Sequence, residues 1–486
     1  MTGTSGPLTN APGIPALAPP PEADSVIVIG GGLAGLACAA ALGERGCRVV
    51  LLESRQRLGG RASSFYDTES GEWLDNCQHV SLGCCTNFAR FCEQMGIAQF
   101  IARESRLTFI GPRGTRHQFV SSALPAPLHL AVSFAGLSYL SWSDRVSLAR
   151  GLKQLARTPS HKLQGVAFDQ WLADAGQTPG AIENFWHVVL VSALSETVDR
   201  LDAAHARKVF VDAFLSHRAG WEVWLPTVPL DRLYGAELQE SLRARGVQMR
   251  LNASVQRVQA EPGGVAVQLR DGEQLSAQRV VLAVPAYRVP KLVPQFEPWW
   301  RESEGPGRLE TAPISSVHLW YDQPLTSDRH VTLVGKTSQW LFNRDQIQPG
   351  ARTPDGTWYG QVVISASHDV ASRPAAETVA KVVAELAEAF PNSPARLVRS
   401  RLVTEHRAVL AVWPGHDAYR PGPVTRVPGL FLAGDWIDTG WPSTMEGAVR
   451  SGWLAAEAVL RERGTPAQLI APNLPTARLS KWLLGL

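Results

Sequence analysis

The sequence predicts an α/β protein: a Rossmann-like dinucleotide-binding domain built from discontinuous segments, joined to an α+β substrate-binding lobe. Three observations predict it. Residues 26–53 read VIVIGGGLAGLACAAALGERGCRVVLLE, an apolar strand, a glycine-rich turn, an Ala-rich helix and a second apolar strand ending on an acid. Residues 231–285 return to alternating helix, first expected from Asp231 to about Arg245, and apolar strand after a long aromatic interval. Residues 429–448 deliver a further short apolar strand into a Gly-Asp pair and a helix rich in small residues. A chain of 486 residues is too long for one hydrophobic core, so two or more lobes are expected.

In the first unit each glycine has its own task. Gly30 permits the tight turn, Gly32 lets backbone approach a pyrophosphate, and Gly35 lets the helix pack on the strand. Leu33 and Ala34 open the helix, where free N–H groups and the dipole favour an anion. Glu53 follows Gly35 by 18 residues. An acid about 20 residues on accepts from a ribose hydroxyl in such units. Ser54 stands beside it. After the second strand, Gly59-Gly60-Arg61 frees backbone for close approach and adds a forked cation suited to phosphate.

Composition narrows the classes. Hydrophobic content of 45% with 19% charge is that of an ordinary globular chain. A net charge of +3 and no basic run argue against nucleic acid as a partner. Cys38, Cys47, Cys77, Cys84, Cys85 and Cys92 form no C-x-x-C pair, so buried thiols are expected, with neither a disulfide framework nor a metal site. Residues 1–23, rich in Pro, Ala, Gly and Ser, read as a disordered leader. No run of about 18 strongly apolar residues appears, so no membrane-spanning helix is expected.

The strand unit followed by Gly-Gly-Arg resembles the FAD-binding start of the flavin amine oxidase and carotenoid desaturase superfamily, and the resemblance extends from residue 24 to about residue 465. It implies FAD as cofactor. Residues 73–79, WLDNCQH, resemble the family's loop beside the flavin, which implies contacts from Gln78 and His79; the other reading is a plain strand-to-helix connection. Val255 is implied to give adenine a backbone contact. In the Gly434-Asp435 pair the acid is implied to bond the ribityl or pyrophosphate region. Thr444, Met445 and Ala448 begin a helix whose positive end faces the flavin. The implied division assigns 24–105, 230–290 and 426–468 to the FAD-binding domain. It assigns 106–229, mostly helical, and 291–425 to the substrate lobe, and leaves 469–486 as a tail.

Residues 119–143 contain no Asp, Glu, Lys or Arg. Beyond breaks at Pro125 and Pro127 they are expected to form a helix that is apolar around much of its circumference, either buried in the substrate lobe or docked on a membrane. Residues 144–220 read as mostly helical, with Phe168, Trp171, Phe185 and Trp186 facing inward. Residues 314–319, 331–334 and 361–365 read as strands, and 377–390 as an amphipathic helix. In the tail, Leu479, Trp482, Leu483 and Leu486 share a helical stripe flanked by Arg478 and Lys481, which serves either as a membrane anchor or for packing on the protein's own body.

Within the superfamily, residues 433–452, AGDWIDTGWPSTMEGAVRSG, are most similar to the hydroxysqualene dehydroxylases, also called squalene-associated FAD-dependent desaturases. Amine oxidases carry a lysine in the strand near Ser316 and an aromatic where Thr444 stands; this chain has neither, which disfavours amine oxidation. The likeness implies reduction of hydroxysqualene to squalene in bacterial hopanoid and squalene biosynthesis. Hydride passes from N5 of reduced FAD to an allylic carbon as the hydroxyl leaves as water. The protein must then provide an apolar tunnel, stabilise cationic character or protonate the hydroxyl, and exclude water. Glu446, Asp435, His79 and Glu405 are the candidate acids, with a reaction that needs no side-chain acid as the other option. The alternatives are a carotenoid or phytoene-type desaturase and a non-catalytic isoprenoid-binding flavoprotein. The expected partners are a long-chain isoprenoid, a membrane surface and an electron donor that the sequence does not identify. The expected location is cytoplasmic, peripheral on the inner face of the cytoplasmic membrane.

Overall fold

Strand Ser25–Ile29 lies at the centre of a five-stranded parallel sheet in this computed structural model, which describes residues 22–486 except 70, 113 and 351–354. All but the last two residues of the expected leader lie outside the described residues. Arg48–Leu52 and Arg279–Leu282 flank the central strand, with Val247–Arg250 and Leu430–Leu432 at the edges. Both faces of the sheet are covered, which is why its strands read as unbroken apolar runs. Val26, Val28, Val49 and Leu51 join the core that holds the helices. Ile27, Ile29 and Leu52 point the other way, into the core shared with the antiparallel strands Val255–Glu261, Gly264–Leu269 and Gln274–Ala277.

The Ala-rich helix Leu33–Gly43 is buried along nearly its whole length. Its small side chains admit helix Met445–Glu462 so closely that a Cβ on Gly452 would stand 2.1 Å from the Ala34 carbonyl oxygen. The first and last glycine motifs of the chain are therefore fixed against each other by backbone contact.

A second, seven-stranded sheet has the order Leu397–Leu410, Thr311–Tyr321, Trp358–Ile364, Trp340–Asn343, His330–Leu333, Arg106–Ile110, Arg116–Val120. Helix Ala375–Ala389 packs Val382 and Leu386 on one face, against Val317, Leu319 and Val362. The other face meets a layer of helical segments whose core holds Phe168, Trp171, Trp186 and Phe210, with ring centroids between 4.8 and 6.0 Å apart. The inward aromatics read from the sequence thus form the centre of that layer. Ser141 and Asp144 form a capping box at the start of helix Trp142–Arg157.

Three local expectations are corrected. In the apolar stretch 119–143, the helix expected beyond Pro125 and Pro127 does not form as one element. The stretch gives strand Arg116–Val120, a 3₁₀ turn Leu128–Leu130, a five-residue helix Ala131–Ala135 and a further turn. Pro125 and Pro127 bar helix at its start, Gly136 follows the short helix, and the Ser141 cap begins the next one. The helix expected from Asp231 to Arg245 is broken into Leu230–Leu233 and Ala236–Ala244 at Gly235, whose ψ of −128° is not helical. Finally, tail helix Arg478–Leu484 packs on the body of the protein through Ser480, Leu483 and Leu484, with Leu486 beyond it, while Trp482 of the expected stripe stands exposed.

Candidate active site

The C-terminal ends of the parallel strands open onto one cavity, the place where open α/β sheets bind ligands. Strand Ser25–Ile29 runs into Gly30, whose φ of +112° excludes most side chains and whose amide donates to the Leu52 carbonyl at 2.8 Å. The Gly31 amide donates to Glu53 Oε2 at 2.7 Å. Glu53 Oε1 accepts from the Arg55 amide at 2.8 Å and from Ser54 Oγ at 3.1 Å. The Gly59 amide donates to the Gly31 carbonyl at 2.9 Å, laying the second glycine turn beside the first. A Cβ on Gly32 would meet nothing nearer than the Gly60 Cα at 3.9 Å. Gly32 and Gly60 therefore present bare backbone to the cavity at the N-terminus of helix Leu33–Gly43, whose first amides lack intrahelical acceptors. Gly35 serves packing, as expected: a Cβ there would lie 1.9 Å from the Gly30 carbonyl oxygen.

Arg61 links this cradle to the chain's last glycine motif. Its Nη1 donates to the Ala408 carbonyl at 2.6 Å and its Nη2 to Asp435 Oδ1 at 2.5 Å. Asp435 Oδ2 accepts from Ser443 Oγ, and the Gly434 amide donates to Ser451 Oγ at 2.9 Å. Thr444 caps helix Met445–Glu462 by accepting from the Gly447 amide at 3.1 Å. Met445, Ala448 and Val255 lie on the cavity wall beside these groups.

The cavity has a volume of about 1050 Å³. Every cofactor-binding or catalytic candidate read from the sequence lies on its wall except Gly35. Away from the glycines the wall turns apolar, with Phe109, Phe119, Phe134, Phe185, Phe210 and Trp340.

The four candidate acids stand differently. Glu446 is fully buried, and four donors converge on it: the amides of Asn87 and Phe88 at 3.2 and 2.7 Å, Asn87 Nδ2 at 2.9 Å and Arg450 Nε at 2.6 Å. It caps helix Thr86–Gln94, a structural task that occupies its carboxylate. Asp435 is held by Arg61 and Ser443. Burial pushes His79 below the ordinary imidazole range, and its Nδ1 lies 3.0 Å from the Cys77 carbonyl oxygen. Glu405 is exposed and accepts from the Arg407 amide at 3.2 Å.

Beside His79, Gln78 Oε1 accepts from Arg344 Nη1, and Arg344 also pairs with buried Asp75. Ser316, in the strand where an amine oxidase would carry its lysine, instead accepts from Gln361 Nε2 at 2.8 Å; both residues are buried. Among the described residues no group of three or more His, Cys, Asp or Glu is placed to hold a metal ion.

Sequence reasoning missed Lys208 and Asp212. They pair on the cavity wall at 2.8 Å, with Lys208 Nζ 4.2 Å from the centre of the Trp441 ring. The available signal was a Lys and an Asp four residues apart within the otherwise apolar KVFVDAFL, a spacing that shares one helix face.

Comparison with known proteins shows the family and the fold. The profile of a family described as flavin containing amine oxidoreductase matches residues 33–460. The hydroxysqualene dehydroxylase of Rhodopseudomonas palustris is 29% identical over 453 residues, covering 90% of this chain and 98% of that protein. The 15-cis-phytoene desaturase of Solanum lycopersicum is 25% identical over 460 residues, covering 90% of this chain and 78% of that protein. An oxidoreductase from Methanosarcina mazei shares the fold, with a TM-score of 0.68 at 17% identity over 88% of this chain and 99% of that one. The cofactor is FAD. The cradle fits it through the bare backbone at Gly32 and Gly60, which admits a pyrophosphate, and the buried Glu53 carboxylate at the end of the second strand.

Proposed function

This chain belongs to the flavin-containing amine oxidoreductase family, and from that premise we propose that it reduces hydroxysqualene to squalene with loss of water. The observation that carries this reading is one continuous cavity that joins the FAD cradle to an aromatic, apolar half suited to a long hydrocarbon. Bound FAD, once reduced, supplies a hydride equivalent. The chain's own residues do the rest. Gly32, Gly60 and Arg61 hold the pyrophosphate region, Glu53 the ribose, and Gln78, His79 and Thr444 flank the ring system. Phe109, Phe134, Phe185 and Phe210 bind the hydrocarbon and exclude water from the reacting carbon. The buried pair of Ser316 and Gln361, where an amine oxidase would place a lysine, supports a substrate other than an amine.

The likeness to a hydroxysqualene dehydroxylase across nearly that protein's whole length supports the reductive direction. The likeness to a phytoene desaturase favours the second reading, a carotenoid-type desaturase that oxidises its substrate. A flavoprotein that binds isoprenoid without turnover is the third. Product mass separates them. Reduced protein with hydroxysqualene gives squalene on the first reading, oxidised protein with phytoene gives a product two hydrogens lighter on the second, and neither substrate changes on the third.

The same reading places the protein peripherally on the inner face of the cytoplasmic membrane, where an isoprenoid dissolves. Val132, Trp142 and Trp482 are 63%, 77% and 77% exposed, and Leu128 is both exposed and on the cavity wall. Among the described residues no helix is long and apolar enough to cross a membrane. The five-stranded sheet draws on residues 25–52, 247–282 and 430–432, which supports assigning 24–105, 230–290 and 426–468 to FAD binding and 106–229 and 291–425 to the substrate lobe.

A further inference from the structure

Loss of a hydroxyl as water requires a proton on the departing oxygen, and the cavity carries one ion pair suited to provide it. Helix Ala203–Lys208 passes into a π-helical turn, Val209–Leu215, and six of that turn's seven residues line the cavity. Such turns are frequent at functional sites. At the junction Lys208 Nζ donates to Asp212 Oδ2 at 2.8 Å. Both side chains lie on the wall with the apolar Phe210, Ala213 and Phe214.

The pair also lies near the FAD end. Lys208 Nζ faces the Trp441 ring at 4.2 Å, and Trp441 lies two residues before Ser443, whose hydroxyl is bonded to Asp435. Cys84, Ala213 and Trp441 pack together there. An ammonium has three protons. One is donated to Asp212 and the Trp441 face stabilises the charge, which leaves a donor for an acceptor in the cavity. The hydroxyls of the wall, among them Ser192, which accepts from Trp340 Nε1 at 3.0 Å, and the unpartnered Ser81 and Thr332, are neutral and far weaker acids than an ammonium. An ion pair on an apolar wall is costly unless a further polar group completes it. A long-chain allylic alcohol brings one such group.

Resting on the reading above, we propose that Lys208 and Asp212 form the site for the substrate's hydroxyl. Lys208 is the proton donor and Asp212 holds its ammonium in place. The C–O bond breaks with its electron pair on oxygen, that oxygen takes one proton from Lys208 Nζ, and water leaves. Bound FAD, when reduced, would supply the hydrogen with two electrons that the allylic carbon gains. Lys208 recovers its proton from solvent. The sum is one alcohol, one hydride equivalent and one proton giving one hydrocarbon and one water.

The test uses the holoprotein, Lys208→Met and Asp212→Asn, each first matched for flavin absorbance. Two readouts are taken anaerobically: squalene formed by dithionite-reduced protein, and equilibrium binding of hydroxysqualene against squalene, followed by tryptophan quenching. The expected result is that wild type binds the alcohol more tightly than the hydrocarbon and that Lys208→Met erases the difference while still binding squalene. Its rate should fall about 100-fold or more, the range for removing a general acid, and Asp212→Asn should shift the pH profile of the rate. Turnover in Lys208→Met at the wild-type rate overturns the proposal while leaving the reading of the reaction intact. If wild type forms no squalene yet discriminates the alcohol through Lys208, the hydroxyl site stands and the reaction assignment fails. If wild type neither reacts nor discriminates, both are overturned. If Lys208→Met loses squalene binding as well, Lys208 is part of the wall rather than a hydroxyl site, and the proposal fails.

Discussion

The Gly31 amide and the Glu53 carboxylate stand 2.7 Å apart, a contact that ties the glycine turn to the end of the neighbouring strand. Glu53 is buried, so its replacement by Ala leaves an amide without its acceptor, a loss of about 1–3 kcal/mol. It also removes the acceptor proposed for the ribose. Glu53→Ala is expected to melt at a lower temperature and to purify with less FAD, read from visible absorbance. Unchanged FAD content would show that Glu53 does not face the ribose.

Gly32 and Gly35 separate two tasks that the sequence motif runs together. The nearest neighbour of a Cβ on Gly32 is 3.9 Å away, so Gly32→Trp is expected to fold, with its indole filling the pyrophosphate approach and leaving colourless protein. At Gly35 a Cβ would strike the Gly30 carbonyl oxygen at 1.9 Å, so Gly35→Ala should lose about 1–3 kcal/mol of stability by overpacking. Full FAD occupancy in Gly32→Trp would misplace the cradle.

His318 gives the protein a predictable response to acid. It is fully buried, with Nδ1 2.6 Å from Tyr359 Oη, and burial pushes its pKa down to about 3 from the ordinary 6.5. Between those values the unfolded chain takes up a proton that the folded one refuses. The contribution of His318 is therefore fully present above 6.5 and is lost as pH falls toward 3, at about 1.4 kcal/mol per pH unit. Denaturant unfolding across that window should show a shallower pH slope for His318→Gln than for wild type. Equal slopes would contradict the assignment.

Membrane docking is best tested at exposed side chains. Removing residues 477–486 would also remove Leu484, which is buried and lines the cavity. Trp142→Ser with Trp482→Ser changes two side chains that are each 77% exposed, and is expected to lower liposome co-sedimentation without altering the melting temperature. Unchanged co-sedimentation would count against those tryptophans as membrane contacts.

The three dinucleotide segments were legible because glycine turns, apolar strands and terminal acids are local features, and the parallel sheet gathers those segments. Glu446 was read as a candidate acid. Its structural role depends on Asn87, 359 residues away, which no local pattern reveals. The part of 119–143 beyond its prolines misled because its lack of charge was read as one helix, whereas Gly136 and the Ser141 cap divide it. Lys208 and Asp212 looked like an ordinary helix pair; only the π-helical turn and the cavity behind it give them another use.

The most direct test of the account is anaerobic incubation of the dithionite-reduced protein with hydroxysqualene, following flavin absorbance and the mass of the extracted product together. The account predicts squalene appearing in step with flavin reoxidation. Unchanged hydroxysqualene in the presence of a flavin that reduces and reoxidises normally would contradict it.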